Sequence, residues 1–380
     1  MGCSSSTIDL QATPSAAIPI ASIAPPAQAV YGQPDFTSHT LYPTGQDTLY
    51  NAGTITVDGH GGFYVADYNN SRVLHFPNFT GRGAAPQADM VYGQLNYTSH
   101  DVHRGASGLN FPHGVAVDGK GGLYVADTFN NRVLHYPASS TTADRVYGQP
   151  DFNEAGANSG GIGPETLAQP QGITMDATGL YVADSQNNRV LHFPEGKVTA
   201  DFVYGQGIPG NSPDNFSAHN KDSGLTGLNN PRDVAVDKAG VYVVDSDNHR
   251  VVHYPFAHAI ADRVYGQPDF APMSVRPNQG KTKPTATTLN NPTGIAVGEQ
   301  ERLYIADRNN NRILCYPSFA QQKGNDPAAI RVYGQATYTG NETSTSASTF
   351  HSPGAVSIDD GRNMFVLDIF NQRVLKFVIP

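Results

Sequence analysis

The sequence has little cysteine, a deficit of positive charge and no long apolar run. Its two cysteines, Cys3 and Cys315, stand far apart among 380 residues, so no framework of disulfides supports the fold. Lys and Arg number 24 against 33 Asp and Glu, and the formal net charge is -9. A chain that must neutralise phosphates needs the opposite balance, so nucleic acid is not expected as a partner. No apolar stretch approaches the roughly 20 residues of a membrane-spanning helix.

The first residues carry a feature that points to a membrane. Met1-Gly2-Cys3 followed by serines resembles the mature start of a bacterial lipoprotein, and Gly2 with Ser6 also fits the pattern for myristoylation. A terminus without lipid is the third reading. Residues 1–26 are expected to form a flexible tether, with membrane contact only through a lipid on Cys3 or Gly2. We therefore expect an extracytoplasmic or cell-surface-tethered protein, with a cytoplasmic location left open.

One frame, Asp-x-x-Asn-x-Arg, recurs six times along the chain. Its Asp and Arg positions are Asp67 and Arg72, Asp127 and Arg132, Asp184 and Arg189, Asp245 and Arg250, Asp307 and Arg312, and Asp368 and Arg373. Copies spaced by about 60 residues indicate a repeat architecture that grows as one body. We therefore assign residues 27–380 to a single domain.

Each repeat is predicted to contain four short strands. In the second copy they cover 114–118, 123–127, 133–136 and 143–149, all rich in β-branched and aromatic residues, and a glycine-rich turn at 119–122 separates the first two. Four antiparallel strands arranged radially form a β-propeller blade. The sequence therefore predicts an all-β, six-bladed β-propeller.

The two ends of the chain complement each other. The sixth repeat stops after a strand at 374–377 and has no fourth strand, whereas residues 29–33 carry the Val-Tyr-Gly-Gln motif of the other fourth strands. We expect the N-terminal strand to complete the last blade. Closing the ring in this way removes two open strand edges.

The repeat is similar to that of the NHL-repeat family of six-bladed propellers. The shared unit is Pro-x-Gly-Ile-Ala-Val-Asp, then Leu-Tyr-Val-Ala-Asp-x-x-Asn-x-Arg-Val, and the resemblance covers roughly residues 27–380. The family includes RNA-binding and protein-binding modules, sensor domains of receptor kinases and metal-dependent lyases. The resemblance thus implies the fold and leaves the function open.

Repetition separates scaffold from site, because a residue present in every blade serves every blade, whereas one central site needs residues that differ. The Asp, Asn and Arg of the repeated frame are therefore predicted to build turns through side-chain hydrogen bonds. Four histidines at one equivalent position of the third strand would lie too far apart to share a metal, and we assign them to packing or to the surface. They are His75, His135, His192 and His253.

The blades differ most where the chain enters each inner strand, after connections that are longer than usual loops and that share a face with the repeated turns. The x of the Pro-x-Gly step that leads into each strand should lie at the channel mouth. Around the ring this residue is Gly53, His113, Gln171, Arg232, Thr293 and Gly354, and Asp233 replaces the Gly after Arg232.

These differences predict a polar rim that holds a small ligand. The predicted binding residues are His113, Gln171, Arg232, Asp233, Thr293 and His351. Arg232 is suited to bind a carboxylate or phosphate through its two-pronged guanidinium. The alternative is a water-lined mouth in which Arg232 pairs with Asp233.

Three functions compete. The first is a monomeric, non-catalytic module that recognises a protein, peptide, glycan or small molecule through the long-loop face and the mouth. The second is a metal-dependent lyase or a lactonase-like hydrolase, with His113, Arg232 and Asp233 as catalytic candidates and calcium or zinc in the central channel. In such relatives, His or acidic residues of several blades hold the metal, whereas here only His113 and His351 lie near equivalent mouth positions. RNA binding ranks third, because the net charge opposes it.

Overall fold

The computed structural model describes residues 24–41, 43–206, 215–271, 275–360 and 362–379. In chain order the strands are β1 Ala29–Tyr31, β2 Ile55–Val57, β3 Phe63–Asp67, β4 Arg72–Phe76, β5 Gly83–Ala84, β6 Met90–Tyr92, β7 Val115–Val117, β8 Leu123–Asp127, β9 Arg132–Tyr136, β10 Arg145–Tyr147, β11 Pro170–Met175, β12 Gly179–Asp184 and β13 Arg189–Pro194. They continue with β14 Phe202–Tyr204, β15 Pro231–Asp237, β16 Gly240–Asp245, β17 Arg250–Tyr254, β18 Arg263–Tyr265, β19 Gly294–Val297, β20 Arg302–Asp307, β21 Arg312–Ser318, β22 Arg331–Tyr333, β23 Pro353–Ile358, β24 Asn363–Asp368 and β25 Arg373–Val378.

These strands form six sheets, and the predicted six-bladed β-propeller is confirmed. Blades 1 to 6 start with the inner strands β2, β7, β11, β15, β19 and β23. Within each blade the successive strands pair antiparallel, and short turns join the first three of them. The inner strands contact their neighbours around the ring and enclose a channel.

The helical content of the described residues consists of single 3₁₀ turns. Six lie within the repeated frame, at Tyr68–Asn70, Thr128–Asn130, Ser185–Asn187, Ser246–Asn248, Arg308–Asn310 and Ile369–Asn371; the others are Pro277–Gly280, Glu299–Glu301 and Phe319–Gln321. No helix among them is long or apolar enough to cross a lipid bilayer.

The N-terminal strand closes the ring as predicted. β1 pairs antiparallel with β25, with Val30 opposite Leu375, and it becomes the outer strand of blade 6. One strand was not predicted from the sequence. β5 lies in the connection between β4 and β6 of blade 1, pairs parallel with β1 and covers the free edge of β1. The described chain begins at residue 24, so Gly2 and Cys3, the two candidate positions for a lipid, lie outside the described residues.

The hydrophobic core lies between neighbouring blades. At the closure, the buried Tyr31 ring stands 4.8 Å from the Phe63 ring and 5.5 Å from the Phe76 ring, centroid to centroid. β-Branched and aromatic residues on the flat blade surfaces bury large apolar areas of this kind around the whole ring. Packing between blades 6 and 1 thus holds the two chain ends together.

The repeated frame ties each long connection to its blade. In blade 2, Asp127 Oδ2 accepts hydrogen bonds from Arg132 Nε at 2.7 Å and Asn130 Nδ2 at 2.8 Å. Arg132 also donates to the carbonyl oxygens of Gly105 and Gly108 in the preceding connection. All six Asp–Arg pairs are buried, with Nε to Oδ2 distances of 2.6–2.8 Å. A buried charge needs such a partner, so the frame acts as a scaffold.

The four equivalent histidines each share a hydrogen bond with an aspartate that precedes the outer strand. His135 Nδ1 lies 2.6 Å from Asp144 Oδ1, and its ring packs 4.6 Å from that of Tyr124. The corresponding pairs are His75 with Asp89, His192 with Asp201, and His253 with Asp262. These contacts join the third and fourth strands of a blade and lie on separate blades.

Candidate functional site

The mouth of the channel is a cavity of about 290 Å³ on the face that carries the repeated turns. His113, Gln171 and Arg232 all line it, and each occupies the x of the Pro-x-Gly step that leads into an inner strand. Three blades therefore bring together three of the six residues predicted to bind a ligand. The cavity lies near the lower end of the usual 300–1,000 Å³ range for ligand pockets, which favours a small ligand.

Asp233 does not share this cavity with Arg232. Its side chain is buried and lines the channel below, in a space of about 260 Å³. There Oδ1 accepts the backbone N–H of Val234 and Oδ2 that of Ile295, each at 3.0 Å. Burial raises the pKa of Asp233 to about 7. Asp233 therefore lies outside the mouth, contrary to the predicted rim. No salt bridge joins it to Arg232 within the described residues, so the alternative pairing of the two side chains is not seen either.

Thr293 and His351 also lie away from the mouth cavity. Thr293 is buried, and its hydroxyl donates to the Pro353 carbonyl at 3.4 Å. The His351 ring packs edge-on against Phe370 at 4.9 Å, and its backbone N–H donates to Asp368. Neither side chain is placed to meet a ligand held by Arg232.

A second arginine, which sequence reasoning missed, joins the mouth. Arg308 lines the cavity with Arg232, and no carboxylate does. Arg308 Nε donates to Ser352 Oγ at 2.8 Å, whereas Arg232 Nε is buried without a hydrogen-bond partner in the described structure. Burial lowers the pKa of both arginines, and the charge of Arg232 lowers that of Arg308 further. The mouth thus holds two positive charges with no carboxylate in its wall, although Asp247, which lies outside the wall, opposes the lowering of the Arg232 pKa.

His113 and Gln171 add polar atoms that lack partners. Burial, together with the charges of Arg232 and Arg308, lowers the pKa of His113 to about 3, so its imidazole is neutral at physiological pH. Buried atoms without a hydrogen-bond partner in the described structure are His113 Nδ1 and Gln171 Oε1. A buried polar atom without a hydrogen bond raises the free energy of the folded state, unless a ligand or water molecule bonds to it.

The signal for the missed residues lies inside the repeated frame. Its first x is Tyr68, Thr128, Ser185, Ser246, Arg308 and Ile369 around the ring. The Thr and two Ser hydroxyls each donate to a proline carbonyl of the next blade, at Pro170, Pro231 and Pro292. The three residues for which no such bond is seen, Tyr68, Arg308 and Ile369, all line the mouth, as Thr128 also does.

The residues present do not fit a metal. No group of three His, Cys, Asp or Glu side chains comes together anywhere in the described part of the chain. His113 lies beside two guanidinium groups, which repel a cation, and His351 lies outside the cavity. The calcium or zinc that the lyase hypothesis requires therefore has no recognisable ligand set in the described residues.

Comparison with known proteins identifies the repeat. The family model of the NHL repeat matches residues 49–76, 109–136, 228–254 and 289–316, and each match covers the first three strands of a blade. No curated protein is similar to the chain as a whole.

Solved structures show the same fold at low sequence identity. A protein of unknown function from Bacteroides thetaiotaomicron has a TM-score of 0.57 and 13% identity over 93% of this chain and 76% of that one. The WD40 propeller domain of Doa1 has a TM-score of 0.51 and 10% identity over 93% of this chain and 96% of that one. A catalytically inactive virginiamycin B lyase from Staphylococcus aureus, solved with quinupristin, has a TM-score of 0.47 and 13% identity over 87% of this chain and 80% of that one. The first two similarities concern the fold alone, and no conclusion is drawn from the third.

Proposed function

We propose that this protein, an NHL-repeat six-bladed β-propeller, is a recognition module that holds a small anionic ligand in the mouth of its channel. The main support for this proposal is that Arg232 and Arg308 line one cavity of about 290 Å³ whose wall contains no carboxylate. Two like charges held close together repel each other, and a bound carboxylate or phosphate removes this repulsion. The guanidinium group suits such anions, because it offers parallel N–H donors.

The neutral polar groups of the mouth support the same ligand. Gln171 presents an amide, and the uncharged His113 donates through one ring nitrogen and accepts through the other. Neither adds a charge that competes with the arginines. A ligand with an anionic group and one or two neutral hydrogen-bonding groups would satisfy the atoms that now lack partners.

The surroundings of the mouth allow a larger partner to carry that anionic group. The repeated turns at the rim are bonded to the long connections, as Arg132 is to Gly105 and Gly108. A peptide or glycan that placed its anionic group in the mouth would therefore contact these connections as well.

Isothermal titration calorimetry with inorganic phosphate and with acetate tests the proposal. We expect the wild type to bind at least one of the two, and Arg232→Met and Arg308→Met each to weaken that binding about tenfold or more, because each removes a charge-assisted hydrogen bond. Arg82→Met, which removes the same charge from an exposed position, is the matched control and should bind like the wild type. Equal affinities in all four proteins, or no binding at millimolar anion, would contradict the proposal.

A further inference from the structure

The wall of the mouth opposite the arginines is aromatic. Tyr68 and Phe129 line the cavity, and Phe111 packs against both. Ring centroids lie 5.2 Å apart for Tyr68 and Phe111, 5.3 Å for Phe111 and Phe129, and 6.3 Å for Tyr68 and Phe129. Phe129 remains 44% exposed. An exposed aromatic cluster beside a cavity indicates a binding surface more than a core.

Tyr68 and Phe111 are the only aromatic residues at their positions in the repeat, whereas the position of Phe129 also holds Phe370 in blade 6. The position of Phe111 is polar in every other blade: Asn51, Gln169, Asn230, Asn291 and Ser352. All six residues there have left-handed backbones, and Phe111 has φ 48°. Asn tolerates this conformation, whereas a bulky aromatic residue is strained in it. Blade 2 therefore keeps an aromatic ring at the rim where the fold favours a small polar residue.

The aromatic residues and the arginines of the mouth lie on opposite sides of the channel. Tyr68 belongs to blade 1 and Phe129 to blade 2, while Arg232 belongs to blade 4 and Arg308 to blade 5. In a ring of six blades, blade 1 faces blade 4 and blade 2 faces blade 5. A ligand that spans the cavity thus meets an aromatic wall at one end and two guanidinium groups at the other.

We infer that the ligand is a small molecule in which an aromatic ring is joined to a carboxylate or phosphate group. This inference rests on the proposed function, because the arginines hold the anionic end. The ring stacks on Tyr68 and Phe129 in offset or edge-on geometry, as aromatic groups do with each other. Because the cavity is small, about 290 Å³, we expect the ligand to have only a few atoms between its ring and its anionic group.

Four probes in two pairs test the inference by calorimetry: acetate against 3-phenylpropionate, and inorganic phosphate against phenyl phosphate. In the wild type we expect the aromatic member of at least one pair to bind about tenfold more tightly than its partner. The pair that shows this preference tells whether the anionic group is a carboxylate or a phosphate. As a control for general hydrophobicity, 3-cyclohexylpropionate should bind more weakly than 3-phenylpropionate.

The repeat itself supplies mild variants, since other blades carry the replacement residues. Phe111→Asn and Phe129→Gln should lose the preference for the aromatic probes and still bind the simple anions, whereas Arg232→Met should lose both. Thermal unfolding of each variant checks that it is folded. Equal binding of aromatic and simple anions by the wild type would overturn the inference and leave the proposed function standing. Absence of binding by all four probes would overturn both.

Discussion

The Asp233 carboxylate of blade 4 accepts a 3.0 Å hydrogen bond from the backbone N–H of Ile295 in blade 5, inside the channel. The bond joins the inner strands of these two blades. At the position equivalent to Asp233, the neighbouring blade 3 has Gly172. A Cβ on Gly172 would lie 2.2 Å from Asp233 Oδ1, so the absence of a side chain there leaves room for the carboxylate. The same burial that places Asp233 between the strands makes its charged form unfavourable.

Asp233 should make the protein less stable as the pH rises. Burial raises its pKa to about 7, whereas an unfolded Asp titrates near 3.9, so between these pH values the folded state binds the additional proton. The free energy of unfolding should then fall by up to about 1.4 kcal/mol per pH unit on this account. Urea unfolding at pH 5, 6 and 7 should show this slope in the wild type and a flatter one in Asp233→Asn. Parallel slopes for the two proteins would show that Asp233 is charged throughout.

Ring closure depends on the Tyr31 ring, which packs on Phe63 and Phe76. Tyr31→Ala should lower the free energy of unfolding by about 3–5 kcal/mol, the usual cost of deleting a buried aromatic side chain. Tyr31→Phe is the matched control: the hydroxyl is buried without a hydrogen-bond partner among the described atoms, so its removal should be neutral or slightly stabilising. Chemical denaturation measures both, and an equal loss in the two variants would place the contribution in the hydroxyl instead of the ring.

The buried Asp127–Arg132 pair should matter far more than an exposed one. Arg132→Met leaves Asp127 buried without its cation and should destabilise the protein by about 3–5 kcal/mol. Lys120→Met removes an exposed salt bridge, in which Lys120 Nζ lies 2.6 Å from Glu195 Oε1, and should change stability little. This distance is as short as that of the buried pair. Thermal and urea unfolding distinguish the two. A small effect of Arg132→Met would mean that the repeated frame is not the scaffold described above.

The sequence was sufficient to predict the architecture, because every blade repeats the same local solution. The sequence shows the turn residues and the apolar strands of six blades. It also shows the Val-Tyr-Gly-Gln motif at 29–33, which predicts how the ring closes. β5 was missed since Gly83–Ala84 has no strand pattern of its own. It pairs with β1 only because the closed ring brings that edge within reach.

The candidate site was predictable only in part, because its residues come from two positions in the repeat. His113 and Arg232 differ from their equivalents at the Pro-x-Gly step, so comparison of the blades finds them. Arg308 and Tyr68 stand inside a frame whose Asp and Arg are structural, and that assignment concealed the variable residue between them. Asp233 was misplaced because neighbouring residues of a strand point in different directions, and a register shift between Pro231 and Asp233 adds to the change.

The mouth between Arg232 and Arg308 is proposed to bind an anion. Anomalous diffraction from crystals soaked in selenate, a tetrahedral anion whose selenium is located directly, tests it most simply. We expect a selenium peak in the mouth, with selenate oxygens within hydrogen-bond distance of both guanidinium groups, and the loss of this peak in Arg232→Met crystals grown in the same form. Selenium peaks at surface arginines such as Arg82 with none in the mouth would contradict it.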